Sequence, residues 1–414
     1  MDVLFLGTGG PAGWPELGCR CASCLRAAAA GGRRPGGILV DGVLRIDPGQ
    51  PPPRAPDGYR IEPVPGGWDI TGPDGGRLLI AGGPGQVPRP PAGTRPFHLL
   101  LLDLLAEPAQ LGALRAQGLA PGPATAAVAW ADHRISSAAE LARRAALWRV
   151  AVPGDGGTLS TGHRPGPGSG ASPAGHPDAG AADTAAGTAA DTAAGTTAGT
   201  AAGGGPHRTL VLGGARSGKS REAELRLAAE PRVTYLAAGP FPDGAGPAST
   251  GPDADPEWAR RVAAHRAARP AWWPTVETTD VAGALRRLAG AVLVDGIGTW
   301  LTAVMTEAGA WPEPGTGPEP GAGPEPGAGP AGPGQARPDP AGLVAARVDE
   351  LVAAWRQTSA RVVAVSDQVG SGVVPATAAG RLFRDQLGWL NQRLAAESEQ
   401  TVLVVAGRVL SLPG

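Results

Sequence analysis

The chain has 414 residues, enough for two or three domains at roughly 150 residues each. Glycine (66) and proline (45) together supply about 27% of it, more than twice the roughly 12% of an ordinary soluble protein. Without a strict Gly-X-Y period this excess excludes collagen and implies long unstructured stretches beside folded ones, while a formal net charge of −1 excludes a global basic field for nucleic acid.

No apolar run is long enough for a transmembrane helix, and the start, Met1 to Gly7, lacks the basic and apolar regions of a signal peptide. Three cysteines, Cys19, Cys21 and Cys24, cannot build a disulfide framework, so the expected location is the cytoplasm. Of 36 basic residues only Lys219 is a lysine. A lone lysine in so arginine-rich a chain marks a place where a compact ammonium is needed, unless it stands there by chance.

Residues 1–152 have mixed composition with several apolar runs, among them Leu99 to Leu105, broken by Asp103. Residues 153–206 are Gly, Ala, Thr and Pro with almost nothing apolar to bury, so the entropy of ordering them is not offset; a flexible linker is expected. From His207 a regular pattern begins. Thr209–Leu212 reads as a short buried strand, Ser220–Ala229 as a helix, and Val233–Ala237 as a second strand. Asp255-Pro256-Glu257 is a helix start, with an acid at the cap and proline at the first turn. Ala291–Val294 is a third strand that ends in Asp295, and Arg361–Val365 a fourth. A helix is expected over about 376–399, and Thr401–Val405 with Val409-Leu410 closes the chain. Near-copies of Pro-Glu-Pro-Gly make 312–341 a disordered insert. Apolar strands alternating with helices over 207–414 predict an α/β fold with a largely parallel sheet.

Gly213-Gly214-Ala215-Arg216-Ser217-Gly218-Lys219-Ser220 fits G-x-x-x-x-G-K-[ST] between a predicted strand and a predicted helix. Such a loop turns backbone N–H groups and a helix N-terminus toward phosphate oxygens. Lys219, the one lysine, falls on the position that demands it and is expected to reach the β- and γ-phosphates, with the Ser220 hydroxyl on Mg²⁺. Asp295, an acid at the end of a buried strand, is expected to hold Mg²⁺ or its waters; the alternative is a plain turn acid. His265 shares a helix face with Trp258 and Val262. It is either a packing histidine or a nucleophile toward phosphorus beside Arg266 and Arg269.

These blocks resemble the bifunctional adenosylcobinamide kinase and adenosylcobinamide-phosphate guanylyltransferase family of cobalamin biosynthesis. The resemblance spans 208–414 apart from the insert. It rests on Leu212–Ser220, Tyr235–Gly239, Arg261–Pro270 with Trp273 and Glu277, Leu293–Asp295, Val365–Pro375, and Phe383–Asp385 with Leu390–Ala395. It implies a P-loop NTPase-type fold and phosphorylation of adenosylcobinamide with ATP or GTP. It also implies transfer of GMP from GTP through His265 to give adenosylcobinamide-GDP. Lys219 and His265 become the catalytic residues, and Gly213–Ser220, Ala237, Ala238, Gly239, Arg266, Ala267, Ala268, Arg269, Glu277 and Asp295 the nucleotide-contacting ones. A homotrimer is implied as well. This chain departs from the family at Asp295, where glutamate is usual, and at Asp367-Gln368, where Asn-Glu is frequent.

The first 152 residues resemble a shortened metallo-β-lactamase-fold phosphodiesterase. The likeness rests on Leu4–Gly10, then Cys19-Arg20-Cys21-Ala22-Ser23-Cys24, then Ile46-Asp47-Pro48-Gly49. It implies a structural Zn²⁺ on Cys19, Cys21 and Cys24 with one further ligand; three reduced thiols are the alternative. The H-x-H-x-D-H motif is missing, so the domain is expected to be degenerate and without dinuclear hydrolase activity. Two other functions stand beside the bifunctional enzyme: a P-loop kinase of another small molecule, and a non-catalytic nucleotide-binding module.

Overall fold

The computed structural model describes residues 1–121, 125–162, 207–239, 260, 269–312 and 339–413. The chain folds into two halves with separate sheets. In the first, β1 (Asp2–Gly7), β2 (Gly37–Val40), β3 (Leu44–Ile46) and β9 (Thr158–Ser160) form an antiparallel sheet in the order β3-β2-β1-β9. A second sheet runs β4-β5-β6-β7-β8, over Arg60–Val64, Gly67–Thr71, Arg77–Ala81, Leu99–Leu102 and Thr125–Val128. Its last two pairings are parallel.

The period of two in these strands divides their side chains between two cores. Leu78, Ile80, Leu99 and Leu101 pack with Val3, Phe5, Ile38 and Val40 of the first sheet. Leu79, Leu100 and Leu102 pack the other way, against α1 (Ala22–Ala29), α2 (Ala109–Ala116) and α3 (Ala138–Trp148) through Cys24, Leu111, Leu114, Leu141 and Trp148. α3 begins on Ser137, whose hydroxyl accepts from the Glu140 amide at 3.1 Å, the Ser-x-x-Glu start of a helix.

The second half has one seven-stranded sheet in the order β12-β11-β13-β14-β10-β15-β16. The strands are β10 (Arg208–Gly213), β11 (Val233–Ala237), β12 (Thr275–Glu277), β13 (Ala291–Asp295), β14 (Arg361–Asp367), β15 (Gln400–Val405) and β16 (Arg408–Leu412). Every pairing is parallel except the closing hairpin β15-β16, as the alternating pattern predicts. One face is covered by α5 (Val281–Arg287), α6 (Ile297–Glu307), α7 (Pro340–Gln357) and α8 (Ala378–Ala396) around the buried Trp300, Leu301, Leu351 and Trp355. The other face receives Ala223 and Leu227 of α4 (Lys219–Leu227).

Two boundaries differ from expectation. The stretch 153–206 was expected to be linker throughout, yet Thr158–Ser160 pairs with β1, and the Thr161 amide donates to the Met1 carbonyl. Edge pairing uses backbone groups and demands little of the side chains, so composition hides it. The insert expected over 312–341 gives way to helix at Pro340, which Asp339 caps by accepting from the Ala341 and Gly342 amides. Its central part, 313–338, lies outside the described residues, as do 163–206 and the helix start at Asp255.

Candidate active site

The carboxyl ends of β10, β14, β13 and β11 lie side by side, where ligands gather in open parallel sheets, and several of the residues expected to meet phosphate lie there. Gly213 ends β10, and the loop turns over Gly214–Gly218 into α4. A Cβ on Gly213 would lie 2.4 Å from the Ser217 Oγ and 2.8 Å from the Val404 carbonyl, so no larger residue fits. Gly218 has φ +97°, the left-handed conformation that glycine adopts at little cost. Arg216, at φ +55°, holds the apex of the loop in that region too. The loop is pinned from two sides. The Gly407 amide of the closing hairpin donates to the Ser217 carbonyl at 2.8 Å, and the Gln368 amide donates to the Gly213 carbonyl at 3.1 Å.

Lys219 opens α4. Its ammonium donates to the Gly214 carbonyl at 3.1 Å and lies 2.9 Å from Oδ1 of Asp367. Asp367 stands opposite Gly213 in the parallel register, which brings its carboxylate to the loop. Beneath it, Asn391 of α8 donates to the Asp367 carbonyl at 3.1 Å and accepts from the Ser366 hydroxyl at 2.6 Å. The Gln368 side chain turns away to the Ser371 hydroxyl. The buried Ser217 Oγ has no hydrogen-bond partner inside the protein. An orphaned hydroxyl costs about 1–3 kcal/mol unless an outside group satisfies it, and in this loop a phosphate oxygen is the natural partner.

Asp295 ends β13 next to Ala237 of β11. The hydroxyl of the buried Tyr235 donates to Asp295 Oδ2. Burial first, then the Asp295 charge, push that phenol far above its ordinary range, so it remains a donor. The Arg269 guanidinium lies over the Tyr235 ring, 4.0 Å from its centre. Tyr235 thus touches Asp295 with its hydroxyl and Arg269 with its face. Ala238 donates its amide to the Asp295 carbonyl at 3.0 Å, and Gly239 sits so close to Thr299 that a Cβ would approach its Cγ2 to 2.7 Å. Glu277 ends β12 opposite Ala237, exposed at the rim. His265, Arg266, Ala267 and Ala268 lie outside the described residues.

The oxygens of Ser220, Asp295 and Asp367 beside the P-loop are the hard donors that Mg²⁺ prefers. Tyr235, Lys219 and Asp367 all lie in the blocks read from the sequence, but the Tyr235–Asp295 and Lys219–Asp367 contacts do not show there. They become visible only when the strand ends are set next to one another.

A separate cluster sits in the first half. The ligand atoms of Cys19, Cys21, Cys24 and His133 all lie within 4.8 Å of one another. His133 Nδ1 is 3.8 Å from Cys19 Sγ and 3.9 Å from Cys24 Sγ. Tetrahedral Zn²⁺ with bonds near 2.3 Å separates its ligands by about 3.8 Å. Burial pushes the Cys24 thiol up to about 11. At Cys21 the backbone N–H of Cys24 pulls the thiol down. His133 was not expected here. It is more than a hundred residues from the cysteines, and no spacing rule reaches that far.

Among the described residues no helix is long and apolar enough to cross a membrane. The family model for cobinamide kinase / cobinamide phosphate guanyltransferase matches residues 209–412. The bifunctional adenosylcobalamin biosynthesis protein CobP of Pseudomonas aeruginosa is 35% identical over 213 residues, 50% of this chain and 98% of the relative. CobU of Salmonella typhimurium is 34% identical over 48% of this chain and 95% of its own length. CobU of Escherichia coli is 32% identical over the same shares.

Proposed function

Because the chain belongs to the cobinamide kinase / cobinamide phosphate guanyltransferase family, we propose that its second half runs both reactions of that name in adenosylcobalamin biosynthesis. The observation that carries this reading is the P-loop with Lys219 set against Asp367, beside Asp295 at the next strand end but one.

In the kinase step the amides of 213–220 and the Lys219 ammonium receive the triphosphate, whose oxygens compete with Asp367 for the ammonium. The adenosylcobinamide hydroxyl attacks the γ-phosphorus of ATP or GTP, the bond to the β-phosphate oxygen breaks, and a nucleoside diphosphate leaves. Such a transfer needs placement and charge neutralisation more than a strong base. Mg²⁺, held by Ser220 and Asp295, supplies that neutralisation when bound. Tyr235 fixes one oxygen of Asp295, and Arg269 brings a second cation to the same wall.

In the second step a His265 ring nitrogen attacks the α-phosphorus of GTP and pyrophosphate leaves. An oxygen of adenosylcobinamide phosphate then attacks the same phosphorus, and the N–P bond breaks to release adenosylcobinamide-GDP. A covalent histidine splits one displacement into two easier ones. Ala237 to Gly239, Arg266 to Arg269 and Glu277 complete the nucleotide contacts.

In the first half, the Cys19, Cys21, Cys24 and His133 donors fit a structural Zn²⁺ in a degenerate metallo-β-lactamase-like domain. A cytoplasmic homotrimer completes the proposal.

The test uses GTP labelled at the α-phosphate with the full chain and Mg²⁺, without cobinamide. Label bound covalently, labile to acid and stable to base, and lost in His265→Ala, is the expected result. No label on folded, GTP-binding protein overturns the transferase reading.

A further inference from the structure

α4 carries Lys219 on its first residue and turns a second face away from its own sheet. Along that face lie Glu222, Leu225 and Arg226, continued by Ala229 in the turn after the helix. Leu225 and Ala229 belong to the core of the first half, packed with Leu111, Leu114, Leu141 and Trp148. The last carbonyls of a helix have no partner within it and need one from outside. Here side chains of the first half supply it. Trp148 Nε1 donates to the Leu225 carbonyl at 2.9 Å, and Arg115 donates to the Ala229 carbonyl, in the turn just beyond the helix, at 2.7 Å. The fit is close, for a Cβ on Gly112 would lie 2.6 Å from the carbonyls of both Ala228 and Glu230.

Charge completes the joint. Glu222, only 4% exposed, accepts both arms of the Arg143 guanidinium, at 2.8 and 3.0 Å, and the Arg226 Nε at 2.9 Å. A buried carboxylate is tolerated only when paired and hydrogen-bonded, and one of its two partners comes from the other half of the chain. Glu222 lies one turn beyond Lys219. The curated relatives match through almost their whole length to the second half alone, so this support is additional to the part they share.

We infer that the first half is a positioning domain for the kinase site, holding the P-loop helix through Arg143, Trp148 and Arg115 and so setting nucleotide affinity. The inference rests on the P-loop reading. Docking narrows the positions open to α4, and a nucleotide that needs α4 in one of them binds more tightly to a chain already held there.

The test keeps the full chain and compares Arg143→Leu and Trp148→Phe with the parent. Trp148→Phe keeps an aromatic ring in this buried position but removes the indole N–H that donates to Leu225 and part of the packing with it, and gives a second readout where Arg143→Leu does not fold. A fluorescent ATP analogue reads the dissociation constant, and hydrogen exchange reads the amides of 219–227. Residues that couple to a site without touching the ligand shift its energetics by roughly 2- to 30-fold in affinity. Arg143→Leu is expected in that range, Trp148→Phe toward its lower end. In both, exchange at 219–227 accelerates, saturating nucleotide slows it again, and kcat at saturation stays close to the parent. Affinity within twofold of the parent in both variants, or faster exchange with unchanged affinity, overturns the inference. Lys219→Ala separates the two claims. If it retains parental affinity, the P-loop reading fails; if it loses affinity while Arg143→Leu does not, only the positioning role fails.

Discussion

Replacing Lys219 by alanine sets two magnitudes against each other. The ammonium pairs with Asp367 where the lysine side chain is 15% exposed and the carboxylate 42% exposed. A pair this open to water contributes about 0–1 kcal/mol to stability, and the bond to the Gly214 carbonyl adds about 1 kcal/mol. The variant therefore loses at most about 2 kcal/mol, a fall of some 4–8 °C in the melting temperature of a half this size. Catalysis loses more. Removing one preorganised donor aimed at developing charge costs about 10²–10³ in kcat, and in the proposed mechanism this donor brings a full charge to the triphosphate. Transfer of γ-labelled phosphate to adenosylcobinamide, measured at a temperature where both proteins are folded and beside a separate thermal melt, separates the two. Lys219→Arg keeps the charge but places a planar fork where a compact ammonium fits, so its rate stays low as well. A kcat/KM within threefold of the parent in folded Lys219→Ala would refute the assignment of the loop.

Three further outcomes are expected. Tyr235→Phe removes the hydroxyl that donates to Asp295 and raises the Mg²⁺ needed for half-maximal kinase rate roughly tenfold or more; an unchanged Mg²⁺ dependence removes Tyr235 from the site. Cys24→Ser lowers bound zinc from about one per chain to near zero by elemental analysis, and equal metal in parent and variant sinks the zinc reading. At Asp155, burial raises the carboxyl, but hydrogen bonds from the Arg34 amide and from the Thr8 amide and hydroxyl outweigh it and hold it below the ordinary range. Its stabilisation is therefore full above about pH 4 and is lost as pH falls through the lower folded value. Asp155→Ala melts below the parent at pH 7, and the gap closes in acid; a gap that widens there contradicts the sign.

The strands of the second half were legible because buried parallel strands are continuous apolar runs, and Ala291–Asp295 with Arg361–Asp367 stand out as such. The P-loop was legible because its glycines and lysine answer to phosphate geometry within eight consecutive residues. What escaped depends on partners remote in the chain. Thr275–Glu277 is too short to show a period and is strand only because β11 lies beside it. His133 joins the cysteines through the fold alone. Leu225 reads as an ordinary core residue of its own helix, and nothing nearby says that its core belongs to the other half. The position of Lys219 at the start of a helix after the glycine-rich loop was readable, whereas its contact with Asp367 needed the register that sets Gly213 opposite Asp367.

The position of β10 has a consequence for synthesis on the ribosome. β10 is flanked on both sides by strands made much later, β14 at Arg361–Asp367 and β15 at Gln400–Val405. At about 5–20 residues per second, the interval from Gly213 to Val405 lasts about 10–40 s. Until Asp367 is made the P-loop strand has neither neighbour to pair with, and α4 has only part of a sheet to lie upon. The strands and helices of the first half have by then left the ribosome. The surface formed by Leu111, Leu114, Leu141 and Trp148 is thus the earliest apolar shelter that the nascent α4 can reach.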